Sequence, residues 1–195
     1  MVKEQFYQEA KKPTAMHPKK FALWLFQVSV VMIFAALTSY FIAGKNEGSF
    51  WTIKMPFYFW VNTATIILSS ITMHWAYLMA KANNFQKLKL ALLITTVLGA
   101  FFLVGQYFAW QDLFFNGIVF AGRTSNAAGS LIYVLSGLHG VHLIGGIIFL
   151  VVVLFNSFNF KIHSKNMVQM EMCATYWHFL DGLWVYLFVF LLLNN

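Results

Sequence analysis

Of the 195 residues, 60% are hydrophobic and only 10% are charged, and the formal net charge is +7. A soluble domain carries about a quarter charged residues, so the composition excludes an ordinary water-soluble enzyme or binding module and indicates a polytopic membrane protein. The lysines fall in short loops and a tail, not on a folded basic face, so the charge reads as a topology signal and no nucleic acid is expected as a partner. The single cysteine, Cys173, rules out an internal disulfide and a cysteine-cluster metal site.

Residues 1–20 read as a polar cytoplasmic tail, with a short helix through Glu4–Lys12 ended by Pro13 and Pro18. The apolar run that follows is longer than the core of a cleavable signal and is expected to be a retained membrane span. A single transmembrane domain is predicted over residues 21–195. Its five spans are placed at 21–43, 56–80, 88–110, 127–155 and 172–193, with Pro56 in the first turn of the second. The expected fold class is all-α, and short loops favour antiparallel neighbours, which makes a five-helix bundle the simplest architecture.

Basic residues orient it. Lys3, Lys11, Lys12, Lys19, Lys20, Lys81, Lys87, Lys89, Lys161 and Lys165 fall on one side of the membrane, and Lys45, Lys54 and Arg123 on the other. The positive-inside rule then puts the N-terminus in the cytoplasm and the C-terminus outside. With a rise of about 1.5 Å per residue, His178 lies roughly 9 Å and Asp181 roughly 14 Å into the last span from the cytoplasmic side. His139 and His142 fall at or past the middle of the fourth span, and His74 near the cytoplasmic end of the second. Five ionisable groups on three helices are thus expected in the cytoplasmic half, against Asn62 and Gln106 in the outer half.

Ionisable groups inside a membrane are expensive and need a partner or a purpose. Three readings compete. Haem or metal ligation would use the i, i+3 pair His139 and His142, but usually needs facing histidines on two helices. A proton path would use His178 and Asp181. A structural polar cluster would lock the second, fourth and fifth helices together, and on physics alone this reading leads. Gly137, Gly140, Gly145 and Gly146 suit close helix approach in the fourth span. Trp177 and Trp184, seven apart, share a face, and Trp177 is close enough to the inner boundary to be a belt residue. No phosphate loop, zinc-protease helix motif or nucleophile elbow is present. No catalytic, cofactor-binding or metal site is therefore assigned to this chain.

Two motifs carry a resemblance. Tyr176-Trp177-His178-Phe179-Leu180-Asp181, with Trp184 after it, resembles the signature of subunit III of the haem–copper respiratory oxidases. So does Ser136-Gly137-Leu138-His139-Gly140-Val141-His142, followed by Ile144, Gly145 and Gly146. Looser similarity covers Lys19 to Met32, Thr63 to Trp75 and Leu98 to Gln106. The length and five spans look like the shorter bacterial form. The resemblance implies an accessory subunit in a bacterial inner membrane that carries no redox centre, with haem and copper held by partner subunits. It implies packing on catalytic subunit I, an indirect relation to subunit II, bound phospholipid, a possible respiratory supercomplex, and support of proton uptake and enzyme lifetime. On that basis His74, His139, His142, Trp177, His178, Asp181 and Trp184 are the expected lipid-binding or subunit-interface residues.

The chain departs from the family pattern in two places. The family usually has a glutamate directly after the serine of its first core helix, and here Ser29 is followed by Val30. A second glutamate often follows the glutamine of the third span, and here Gln106 is followed by Tyr107-Phe108-Ala109-Trp110, with no acid before Asp112. Both losses favour packing and lipid over a proton relay. The resemblance implies cytochrome c as electron donor. Quinol oxidases and proteins associated with nitric oxide reductases have similar subunits, and no donor site here separates them. The readings from other classes are a stand-alone haem-binding membrane protein using His139, His142 or His178, and a small transporter.

Overall fold

The structure, a computed structural model, describes residues 17–46, 57–120, 127–159 and 167–194. The expected tail helix at Glu4–Lys12, Pro56, Arg123 and the stretch from Lys161 to Lys165 lie outside the described residues. Five helices follow in order: α1 (Pro18–Asn46), α2 (Phe57–Lys81), α3 (Phe85–Phe115), α4 (Ala127–Phe158) and α5 (Val168–Leu193).

Long apolar runs leave the backbone no polar partner but itself, so they close their hydrogen bonds internally as helices. Local signals set the ends. Pro18 opens α1, where its missing N–H costs nothing. Between α2 and α3 the chain reverses within a few residues. Asn83 takes the left-handed backbone conformation (φ 55°), which asparagine tolerates better than most residues. Asn84 then caps α3 by accepting the Lys87 backbone N–H at 3.3 Å. Gly117, at φ 79°, turns the chain away after α3.

Four of the helices contain stretches long and apolar enough to cross a membrane: Pro18–Gly44, Phe85–Phe115, Gly129–Phe158 and Val168–Leu193. α2 is not among them, because it carries Asn62, Thr63, Thr65, Ser69, Ser70, Thr72 and His74. Three of these, Asn62, Thr65 and Ser69, lie on the buried stripe of α2 with Phe59, Ile66, Met73, Ala76 and Ala80. That stripe repeats at three and four residues, so α2 turns much of its polarity inward.

The helices α2, α3, α4 and α5 pack as a ring, each touching the next, and α5 closes back on α2. α2 and α4 do not meet across it among the described residues. Among the described residues α1 lies outside the ring, against α4 and α5. The difference in burial is large. Over their most apolar stretches, 56% of α5 is buried inside the protein against 22% of α1.

Candidate functional site

The interior of the ring is filled by two indoles from α5. Trp177 and Trp184 are two helical turns apart, so both point the same way, and both are essentially unexposed. The Trp177 Nε1 donates to Ser69 Oγ on α2 at 2.8 Å. Its six-membered ring fits between Gly99 of α3 and Gly146 of α4. A Cβ added at Gly99 would stand 2.8 Å from the Trp177 Cη2, and one at Gly146 would stand 2.9 Å from Leu180 Cδ1 and 3.4 Å from the Trp177 Cζ3. Trp177 is therefore a crossbar touching three other helices, not a residue of the interfacial belt.

Trp184 repeats the arrangement one level away. Its Nε1 donates to Thr63 Oγ1 at 3.1 Å. Its ring stacks on Phe59 of α2 at 5.7 Å and meets Phe102 of α3 edge-on at 4.8 Å. The His139 imidazole of α4 lies 5.1 Å from it. An indole suits this position because it brings a large apolar body and one N–H that must be satisfied when buried.

The seven residues expected to form one site are divided by the structure. His74 and His178 come together, with ring centres 6.3 Å apart, and Ser70 Oγ lies 2.7 Å from the His178 Nδ1. Asp181 is 4% exposed and faces Ser70 without meeting hydrogen-bond geometry, so neither carboxylate oxygen has a partner among the described residues. His139 is wholly buried between Trp184 and Phe102, and neither ring nitrogen has a partner among the described residues. His142 turns the other way. Its Nδ1 lies 2.7 Å from the Leu138 carbonyl of its own helix, and its ring packs on Phe26 and Phe34 of α1. The histidines therefore do not form one cluster joining α2, α4 and α5. His139, Trp177, Asp181 and Trp184 are buried within this chain and offer almost no surface to lipid or a neighbour, whereas His74, His142 and His178 keep some exposure.

Glycines divide in the same way. Of the four expected close approaches on α4, only Gly146 is tight. A Cβ would meet nothing within 4 Å at Gly140, Trp110 at 3.8 Å at Gly137, and Tyr176 at 4.0 Å at Gly145. The tightest approach lies elsewhere, at Gly105 of α3, where the Asn62 side chain of α2 occupies the space of a Cβ. Asn62 Nδ2 also reaches Gln106 Oε1 at 3.4 Å. Sequence reasoning named Asn62 and Gln106 but not their pairing, and it passed over Ser69, Ser70, Thr63, Gly99 and Phe102.

At the end of the bundle nearest Lys20, a cavity of about 410 Å³ opens between α1, α2 and α5. Leu23, Trp24, His74, Tyr77, Thr175 and His178 are among its walls. The Lys20 ammonium pairs with the Glu171 carboxylate at its edge. Where the family usually has a membrane-embedded acid, Val30 is almost fully buried and apolar. Gln27 instead donates to the Thr175 carbonyl at 3.4 Å and ties α1 to α5.

Comparison with known proteins places this architecture. The family model described as cytochrome c oxidase subunit III matches residues 1–194. The chain belongs to the cytochrome c oxidase subunit III family. It is similar to cytochrome c oxidase subunit 3 of Rattus norvegicus, 28% identical over 206 residues, covering 97% of this chain and 74% of the rat protein. Cytochrome c oxidase subunit 3 of Loxodonta africana matches at the same identity over 203 residues, with the same coverage. The cytochrome bo(3) ubiquinol oxidase subunit 3 of Buchnera aphidicola subsp. Schizaphis graminum is also 28% identical, over 188 residues, 94% of this chain and 98% of that protein. The chain is thus subunit III of a haem–copper oxidase, with relatives in both cytochrome c and quinol enzymes. No group of three or more His, Cys, Asp or Glu side chains able to hold a metal ion occurs among the described residues.

Proposed function

We propose that this subunit is the accessory, cofactor-free member of a proton-pumping terminal oxidase in a bacterial inner membrane. It packs on the catalytic subunit, which holds the haem and copper with a second subunit beside it, and it binds phospholipid. Its contribution is to sustain proton uptake and lengthen the life of the enzyme during oxygen reduction to water. The observation that carries this reading is the filling of the ring interior by Trp177, Trp184, Phe102 and His139. Membrane bundles that hold cofactors build the site in the core from facing side chains. Here that space is taken up by packed rings, which favours a scaffold over a stand-alone haem protein.

All five helices cross the membrane in this proposal, including α2, with the N-terminus in the cytoplasm and the C-terminus outside. The inward-facing polarity of α2 supports this, because Ser69 and Thr63 are taken up by the two indoles and Asn62 by Gln106. The residues reserved for lipid or a neighbouring subunit reduce to His74, His142 and His178. His139, Trp177, Asp181 and Trp184 act from within, by holding the helices in place. The expected donor is cytochrome c, although the ubiquinol oxidase relative matches nearly as much of the chain.

Removing the subunit from the purified oxidase tests the proposal. The remaining complex is expected to keep its haem and copper content and its initial turnover, and to inactivate sooner. Loss of haem along with the subunit would overturn it.

A further inference from the structure

The pairing of His74 with His178 has a use that neither the family assignment nor an accessory role supplies. The two imidazoles come from different helices, α2 and α5, and their ring centres are 6.3 Å apart. Both line the same cavity of about 410 Å³. With metal–nitrogen bonds of about 2 Å and a tetrahedral angle, two imidazoles on one zinc ion hold their ring centres roughly 5 to 5.5 Å apart. The separation here is roughly 1 Å longer, so the rings must draw together to share an ion, and the exposed His74 side chain has room to do so.

The His178 ring is also held in the manner of a ligand. Ser70 Oγ contacts its Nδ1 at 2.7 Å, which fixes the ring and leaves Nε2 as the nitrogen available for coordination. An outer partner on one ring nitrogen is the usual device for orienting the other towards a metal. At the rim, the charge of Lys20 is matched by Glu171, so an approaching cation does not meet an uncompensated ammonium.

We propose that His74 and His178 form a two-imidazole site for a borderline divalent cation such as Zn²⁺ or Cu²⁺, which clamps α2 to α5 at the cavity. Imidazole nitrogen selects these ions over Mg²⁺ and Ca²⁺, which prefer oxygen. No third His, Cys, Asp or Glu joins the pair among the described residues. Water completes the shell, and the ion binds reversibly. The site is independent of the oxidase assignment and stands or falls separately from it.

Zinc alone is the probe, added to the full chain in lipid nanodiscs over the micromolar range. Calorimetry is expected to show one ion bound, and the unfolding temperature is expected to rise with zinc. His74→Gln and His178→Gln each abolish that site, Ser70→Ala weakens it about tenfold by releasing the His178 ring, and His17→Gln leaves it intact. A wild-type chain that binds no zinc overturns the proposal, as does binding that survives both glutamine variants. Should those variants fail to fold, pulsed electron paramagnetic resonance of Cu²⁺ on the wild-type chain decides. Two coupled imidazoles support the site, and one or none refutes it.

Discussion

Trp177 has its shape because Gly99 and Gly146 leave room for it, and the pairing is testable one atom at a time. Gly99→Ala forces a methyl to within 2.8 Å of the indole. Overpacking of this kind costs about 1–3 kcal/mol. Gly140→Ala, whose Cβ meets nothing within 4 Å, is expected to be neutral or to stabilise slightly, since alanine is the better helix former. Thermal unfolding of the two variants side by side checks the contrast, and equal losses would show that the glycines matter only as backbone. Trp177→Ala removes a wholly buried indole and is expected to cost about 3–5 kcal/mol, enough to prevent assembly. Asp181 gives a different test. Asp181→Asn puts an amide in place of the buried carboxyl that faces Ser70, and an N–H left unsatisfied there costs about 1–3 kcal/mol. It is expected to shorten the life of the oxidase while leaving its first turnovers unchanged. A variant that assembled and endured normally but was slow from the first cycle would restore the proton-path reading.

At the scale of helices, α1 is the weakly held element. It is tied to the ring by the Lys20–Glu171 pair, the Gln27–Thr175 carbonyl bond and a 3.1 Å contact between the Thr38 and Tyr186 hydroxyls, with the His142 ring against its phenylalanines. The ion pair is about one-third exposed at each end, so Lys20→Met is expected to cost under about 1 kcal/mol. Hydrogen exchange in nanodiscs is expected to show α1 opening before α3, α4 and α5, and uniform protection of all five helices would contradict that.

The helices themselves were legible in the sequence because long apolar runs admit little else in lipid. The polar stripe of α2 was not read from the sequence, which singled out only Asn62 and His74 on that helix, and the partners of the stripe lie on other helices. Depth along a helix follows from counting residues, and it correctly brings His74 near His178. Rotation about the helix axis does not follow from counting. His139 and His142 are three residues apart at similar depth, yet one sits inside the ring against Trp184 and the other faces α1. Trp177 shows the same gap, since a tryptophan near a membrane boundary suits a belt and a core equally until its neighbours are known. The small residues that receive it, Gly99 and Ser69, lie on other helices, and nothing local to them announces an indole.

For the whole molecule, the proposed topology makes the end of the bundle bearing Lys20, Glu171 and the cavity cytoplasmic. A reporter fused at the N-terminus is expected to read as cytoplasmic and one at the C-terminus as external. The same location for both would mean an even number of spans and would remove α2 from the membrane. In the proposed function the subunit is a scaffold that serves a redox partner. Purification of the tagged chain from its native membranes tests this most directly. A haem–copper catalytic subunit is expected to come with it in constant proportion, identified by mass spectrometry and by the haem spectrum of the complex. A chain recovered reproducibly without such a subunit, or one that shows a haem spectrum by itself, would contradict the assignment to an accessory role.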